Sequence, residues 1–154
     1  MKTTFVAPFF AALVLLSLLT KPGVSQQVTK PAVTTATYKL TVVVPDVGVR
    51  NGKMHIGLAN DQASFDGKSI QTKVVEVPAM GSITVIFDGL ATGRYAVRMF
   101  QDLNDNGKID FSGQMPTEPF GFSNLKRLMA PPTFDQASFE LSGNKNMDVS
   151  LMSL

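Results

Sequence analysis

Cysteine is absent from the 154 residues. Its absence excludes disulfides, thiolate metal sites, a thiol nucleophile and a lipid-modified cysteine near the N-terminus. Histidine occurs once, at position 55, so any imidazole base or His-ligated metal must use that residue. No apolar run reaches the roughly 20 residues needed to cross a bilayer as a helix. The longest, Phe5–Leu19, follows Lys2 and ends before Pro22-Gly23, and small residues stand at Gly23 and Ser25. This is the pattern of a signal peptide at 1–25, cleaved after Ser25, and it leaves a periplasmic or secreted chain without a membrane span.

Excess positive charge is lacking too. Residues 1–25 hold Lys2 and Lys21 and no acid, so the 14 basic residues of the whole chain fall to 12, against 12 acidic ones. A neutral domain without a basic stripe offers little to nucleic acid. Long helical periodicity is likewise missing. What is present is alternation: Tyr38, Leu40, Val42 and Val44; Met54, Ile56 and Leu58; Ile83, Val85 and Phe87; Tyr95, Val97 and Met99, with Arg94 and Arg98 on the solvent face, where anion binding is the alternative to simple solvation. It recurs in Ala137, Phe139 and Leu141 and in Met147, Val149 and Leu151, and Ser69–Val77 is a less regular candidate. Breakers at Asn51-Gly52, Asp66-Gly67, Asp88-Gly89 and Ser142-Gly143 separate these runs. About seven half-polar strands need a second sheet over their apolar faces. The expectation is therefore an all-β, antiparallel β-sandwich spanning 38–154 behind a linker at 26–37, monomeric, with an open barrel as the alternative.

Residues 102–133 break this rhythm and show no clear strand. Loops of that length are uncommon unless functional or disordered, and the Phe, Met and Leu content here predicts ordered packing onto the sandwich. At its head, Asp102, Asn104, Asn106 and Asp110 occupy the first, third, fifth and ninth positions of a calcium-type loop. Gly107 stands at the sixth, and Lys108 is placed to lend a carbonyl. The twelfth position is Gly113 where an EF-hand supplies a bidentate Glu, and no helices flank the loop. The residues thus predict at most a weak structural Ca²⁺ seat, with Glu118 as an extra ligand. The bland alternative is a set of local turns closed by Asp and Asn side chains.

His55 alternates away from Met54, Ile56 and Leu58, beside Lys53, and is expected on a solvated face with no triad around it. Phe120, Phe122 and Leu125 are candidates for a ligand or partner surface, or for closing one end of the core. No catalytic residue is assigned. The chain reads as a non-enzymatic binding or accessory module for a protein or envelope component. The competing reading is a metal-dependent hydrolase using Asp102, Asp110 and Glu118.

The blocks YAVRMFQDLNDNGKIDFSGQMPTEPFGFSN and PPTFDQASFEL resemble the bacterial domain-of-unknown-function family 2141. The likeness covers most of Tyr38 to Leu151. It implies an exported, single-domain, transthyretin- or immunoglobulin-like sandwich without an established activity. Gln101 departs from the resemblance, standing where His is expected in many relatives, which weakens a metal-catalysis reading further.

Overall fold

The computed structural model describes residues 36–152; the expected signal peptide and all but the last two residues of the linker lie outside them. The alternating runs become strands β1 (Tyr38–Val44), β2 (Lys53–Ala59), β3 (Gln71–Glu76), β4 (Ile83–Leu90) and β5 (Gly93–Asp102). One sheet runs β10–β1–β4, where β10 is Lys145–Asp148. The other runs β3–β2–β5–β8, with β8 at Phe120–Phe122 and with β9 (Phe139–Leu141) also paired to β5. Their facing sides form the core. Leu40, Val42, Phe87 and Val149 of one layer meet Met54, Ile56, Val97 and Leu141 of the other, all at or near full burial. The expected all-β sandwich is what forms.

Three expectations are corrected. The sandwich is not wholly antiparallel: β10 lies parallel to β1, with Leu40 opposite Lys145 and Val43 opposite Asp148. A period of two is the same in either direction, so alternation carries no information on strand polarity. Next, Ala137 does not begin a strand; it ends a one-turn helix α2 (Phe134–Ala137), and a similar helix α1 spans Gln62–Asp66. Both are held by capping boxes, Asp61 with Ser64 and Thr133 with Gln136. Elements this short end before a helical period can show in the sequence.

Lastly, the 102–133 segment is not strandless. It contains a small hairpin, β6 (Phe111–Ser112) with β7 (Met115–Pro116), turned by Gly113 at φ 65°. It also contains β8, which pairs Phe122 with Arg98 and Phe120 with Phe100. Gly121 lies inside β8, and the strand needs it: a Cβ there would stand 2.5 Å from the Ser150 carbonyl oxygen and 2.6 Å from Met99 Cε. β8 and β9 share one edge of β5, and Ser123 fills the gap between them. Its hydroxyl accepts from the Val97 N–H at 2.8 Å and donates to the Ala137 carbonyl at 2.6 Å. No helix among the described residues is long and apolar enough to cross a membrane.

Neighbours on β4 test the alternation. Phe87 is fully buried and Ile86 is 44% exposed. Phe87→Ala is expected to lower unfolding free energy by about 3–5 kcal/mol, and Ile86→Ala by under about 1 kcal/mol, both read from urea titrations.

Candidate functional site

Strand register lays out the outer face of the larger sheet in rows. Ala59 lies beside Ala96. Thr72, Gly57, Arg98 and Phe122 make the next row, and Val74, His55, Phe100 and Phe120 the one after. Glu76, Lys53 and Asp102 close the series. Different elements cover the two ends. At the first, the alanines leave room for Phe65 of α1 and Phe134 of α2, whose rings meet edge-on 6.4 Å apart. At the other, the loop after β5 folds over Asp102. Between them lies a cavity of about 910 Å³, floored by His55, Gly57, Arg98 and Phe100 and walled by Ile109, Phe111, Met115, Leu128 and Met129.

The loop that closes one end is built on a buried carboxylate. Asp102 is fully buried; one oxygen accepts from Asn106 N–H at 3.1 Å and the other from Gly107 N–H at 2.7 Å. Burial pushes this carboxyl up, but the N–H groups of Gly107, Asn106 and Asp105, with the His55 imidazole, outweigh it and hold the pKa below the ordinary carboxylate value. The tight winding these bonds require places Asp105 at φ 59° and Gly107 at φ 76°. Asn104 and Asn106 then donate their side-chain amides to Asp110 at 2.7 and 3.0 Å. Asp102, Asn104, Asn106 and Asp110 are thus gathered in one turn-rich loop. Lys108 joins it through its N–H, which donates to Asn106 Oδ1 at 2.8 Å.

Glu118 does fold back, but its carboxylate accepts the N–H groups of Leu103 at 2.8 Å and Asp110 at 3.1 Å. It ties the loop's two ends together. Among the described residues, no three of His, Asp and Glu gather as a metal-holding group. Lys53 reaches over to Asp105 at 2.7 Å, and that hydrogen bond, against a desolvation cost, raises its pKa. Gln101 points the other way, into the core end, where its amide donates to the carbonyls of Val49 and Asn51 at 2.7 and 2.8 Å.

His55 does sit on the outer face, but it is not solvated: its side chain is 18% exposed, stacked on Phe100 with centroids 4.7 Å apart. Its Nε2 is buried 3.4 Å from Asp102 Oδ2. Arg98 is not free on a solvent face either. Its Nε donates to Ser69 Oγ at 3.1 Å, and its fork donates to the carbonyls of Phe65 and Gly67 at the end of α1. Burial lowers its pKa, opposed by the through-space pull of Asp66. Phe120 and Phe122 line the cavity, whereas Leu125 packs beside the Phe65–Phe134 cluster. Sequence reading places His55 and Arg98 on a solvated face, with an anion as the alternative for Arg98, and does not single out Phe100. The signal was their place on the polar side of alternating strands, and only the pairing of β2 with β5 brings them together.

A family model described as "Uncharacterized protein conserved in bacteria (DUF2141)" matches residues 42–150. No curated protein and no solved structure matches the chain.

Asp102→Asn removes the charge and one acceptor from the loop's centre. The expected result is faster hydrogen exchange at the Asn106 and Gly107 amides, with β1 and β4 amides still protected. Because the folded pKa of Asp102 is lowered, its contribution is complete above the unfolded carboxylate value of about 3.9 and is lost as pH falls through the folded value. An acid titration followed at the Gly107 amide should therefore show a transition below about pH 3.9 in the parent protein and none in Asp102→Asn.

Proposed function

The chain belongs to DUF2141, a family of uncharacterised bacterial proteins, and from the covered outer face of its larger sheet we propose that it is a non-enzymatic binding module for an apolar small molecule. The observation that carries this is the cavity of about 910 Å³ with aromatic, Met, Leu and Pro side chains in most of its lining and a small set of polar groups, among them His55, Thr72 and Arg98. Small-molecule sites have volumes of roughly 300–1,000 Å³ and this kind of lining. Phe111, Met115 and Met129 at the rim are among the largest exposed apolar side chains of the described residues, and apolar surface gathered at one opening marks a place of contact. The N-terminal apolar run supports a module exported to the periplasm or secreted, with a component of the envelope among the ligands it could meet.

The Asx loop serves this reading as a wall and a clamp. Calcium is proposed as a weak further ligand of the same loop: rotating the Asn104 and Asn106 amides would turn their oxygens toward the space they share with Asp110. A melting temperature higher in about 10 mM CaCl2 than in chelator is expected, since extracellular modules bind at roughly 10⁻⁴ to 10⁻³ M. An unchanged temperature assigns the loop to its own hydrogen bonds alone.

The binding reading is tested with the neutral fluorophore N-phenyl-1-naphthylamine. Saturable fluorescence enhancement is expected, and Thr72→Trp, which places an indole over the floor from an exposed position on edge strand β3, should weaken it by about tenfold or more. A signal that never saturates, or that ignores Thr72→Trp, sinks the reading.

A further inference from the structure

Arg98 is a cation half-buried in the floor of this cavity. Its three hydrogen bonds go to neutral oxygens, the Ser69 hydroxyl and the carbonyls of Phe65 and Gly67. A guanidinium has five N–H donors, so some remain for another acceptor. None of its bonds neutralises the charge. Arg94, also on the outer side of β5, pairs with Asp135 at 2.9 Å, and Lys53 pairs with Asp105 at 2.7 Å. Arg98 makes no ion pair among the described residues: Asp66 acts on it only through space, while its carboxylate holds the Gln62 amide at 2.8 Å. No Asp or Glu of the described residues lines the cavity.

A partly desolvated cation without a counter-charge is costly, and an anion brought to it by a ligand offsets that cost. Thr72, one residue across the sheet on the far side of Gly57, lines the same floor, and its side chain makes no hydrogen bond among the described residues. Apart from His55, Ser69 and Gln114, the rest of the lining is apolar. Phe100, Phe120, Phe122, Met115 and Leu128 have nothing to offer a hydrated inorganic ion, and the volume far exceeds one. Resting on the binding reading above, we infer that the ligand is an amphiphilic monocarboxylate, its carboxylate on the Arg98 fork and its hydrocarbon or aromatic body along the phenylalanine side of the floor. A planar guanidinium matches a carboxylate with two parallel N–H···O bonds, which selects this head group over a neutral alcohol.

The test is displacement of N-phenyl-1-naphthylamine by decanoate, decan-1-ol and decyl sulfate below their micelle-forming concentrations, at about pH 8 so that the acid is ionised. Decanoate should compete at least about tenfold better than decanol, the scale of one charge-assisted hydrogen bond. Arg98→Gln should bring the two within about threefold of each other, and Arg98→Lys should retain part of the preference because the charge stays. Equal competition by decanoate and decanol in the parent protein overturns the inference while leaving the apolar site intact. Decyl sulfate matching decanoate overturns the carboxylate assignment. A fluorophore that does not bind at all sinks the binding reading itself. Arg98 also holds the end of α1, so each variant is checked by thermal melt, and the parent comparison stands without any variant.

Discussion

Everything in this molecule is arranged around the ladder between β2 and β5, because β5 has to be covered on both of its faces. The register is continuous from Lys53 opposite Asp102 to Ala59 opposite Ala96. Inward, Tyr95, Val97 and Met99 are satisfied by the second sheet. Outward, Ala96, Phe100 and Asp102 share no uniform chemistry, and a single apolar layer could not cover them. The chain answers with a different cover for each row: aromatic rings from two one-turn helices over the alanines, an Asx loop over the aspartate, and an irregular strap over the aromatic and cationic middle.

Asp102 shows how irregular chain can be held without a sheet or helix of its own. A carboxylate at the end of a strand, removed from water, is stable only if its oxygens receive donors. The nearest donors are the N–H groups of the residues that follow, and they can reach it only if the chain winds tightly, with Gly107 in the left-handed region. Ordering the loop and satisfying the buried charge are therefore one event. Glu118 does the same at the loop's far end, so the hairpin and β8 leave from a fixed point. The underside of the ladder is equally tight: a Cβ on Gly52 would lie 2.0 Å from the Asp102 carbonyl oxygen.

The inner face was legible because burial there follows the period of two that strands impose. Leu40, Val42 and Val44 could be placed inside from spacing alone, as could Met54, Ile56 and Leu58. The Asx loop was legible as a unit because its residues are consecutive. The outer face was not. His55 and Phe100 are 45 positions apart, and nothing in either strand's own pattern says that the two rings will stack. Polar residues on alternate positions ordinarily face water, so Arg98 and His55 read as solvated until the strap from 111 to 132 is seen to lie across them. β8 was hidden for a related reason, since Gly121 weakens the strand signal while being the one residue that fits against Ser150.

The cavity follows from this patchwork of covers, but its size and lining do not. Close packing is the rule in interiors, and unfilled apolar space is destabilising in proportion to its volume. A strap whose only task was to cover β5 would collapse onto Phe100 and Gly57, and the flexible Met115, Leu128 and Met129 are well suited to fill such a gap. Instead Met129 is 91% exposed and Met115 stands at the rim, while the floor keeps a charged fork with no ion pair among the described residues. Apolar side chains held away from the floor, beside a cation with no ion pair among the described residues, are the features on which the proposed amphiphilic guest rests. For the proposed guest, methionine at the rim would let the opening adapt to different outlines, whereas the rigid ladder beneath would fix where the polar end sits.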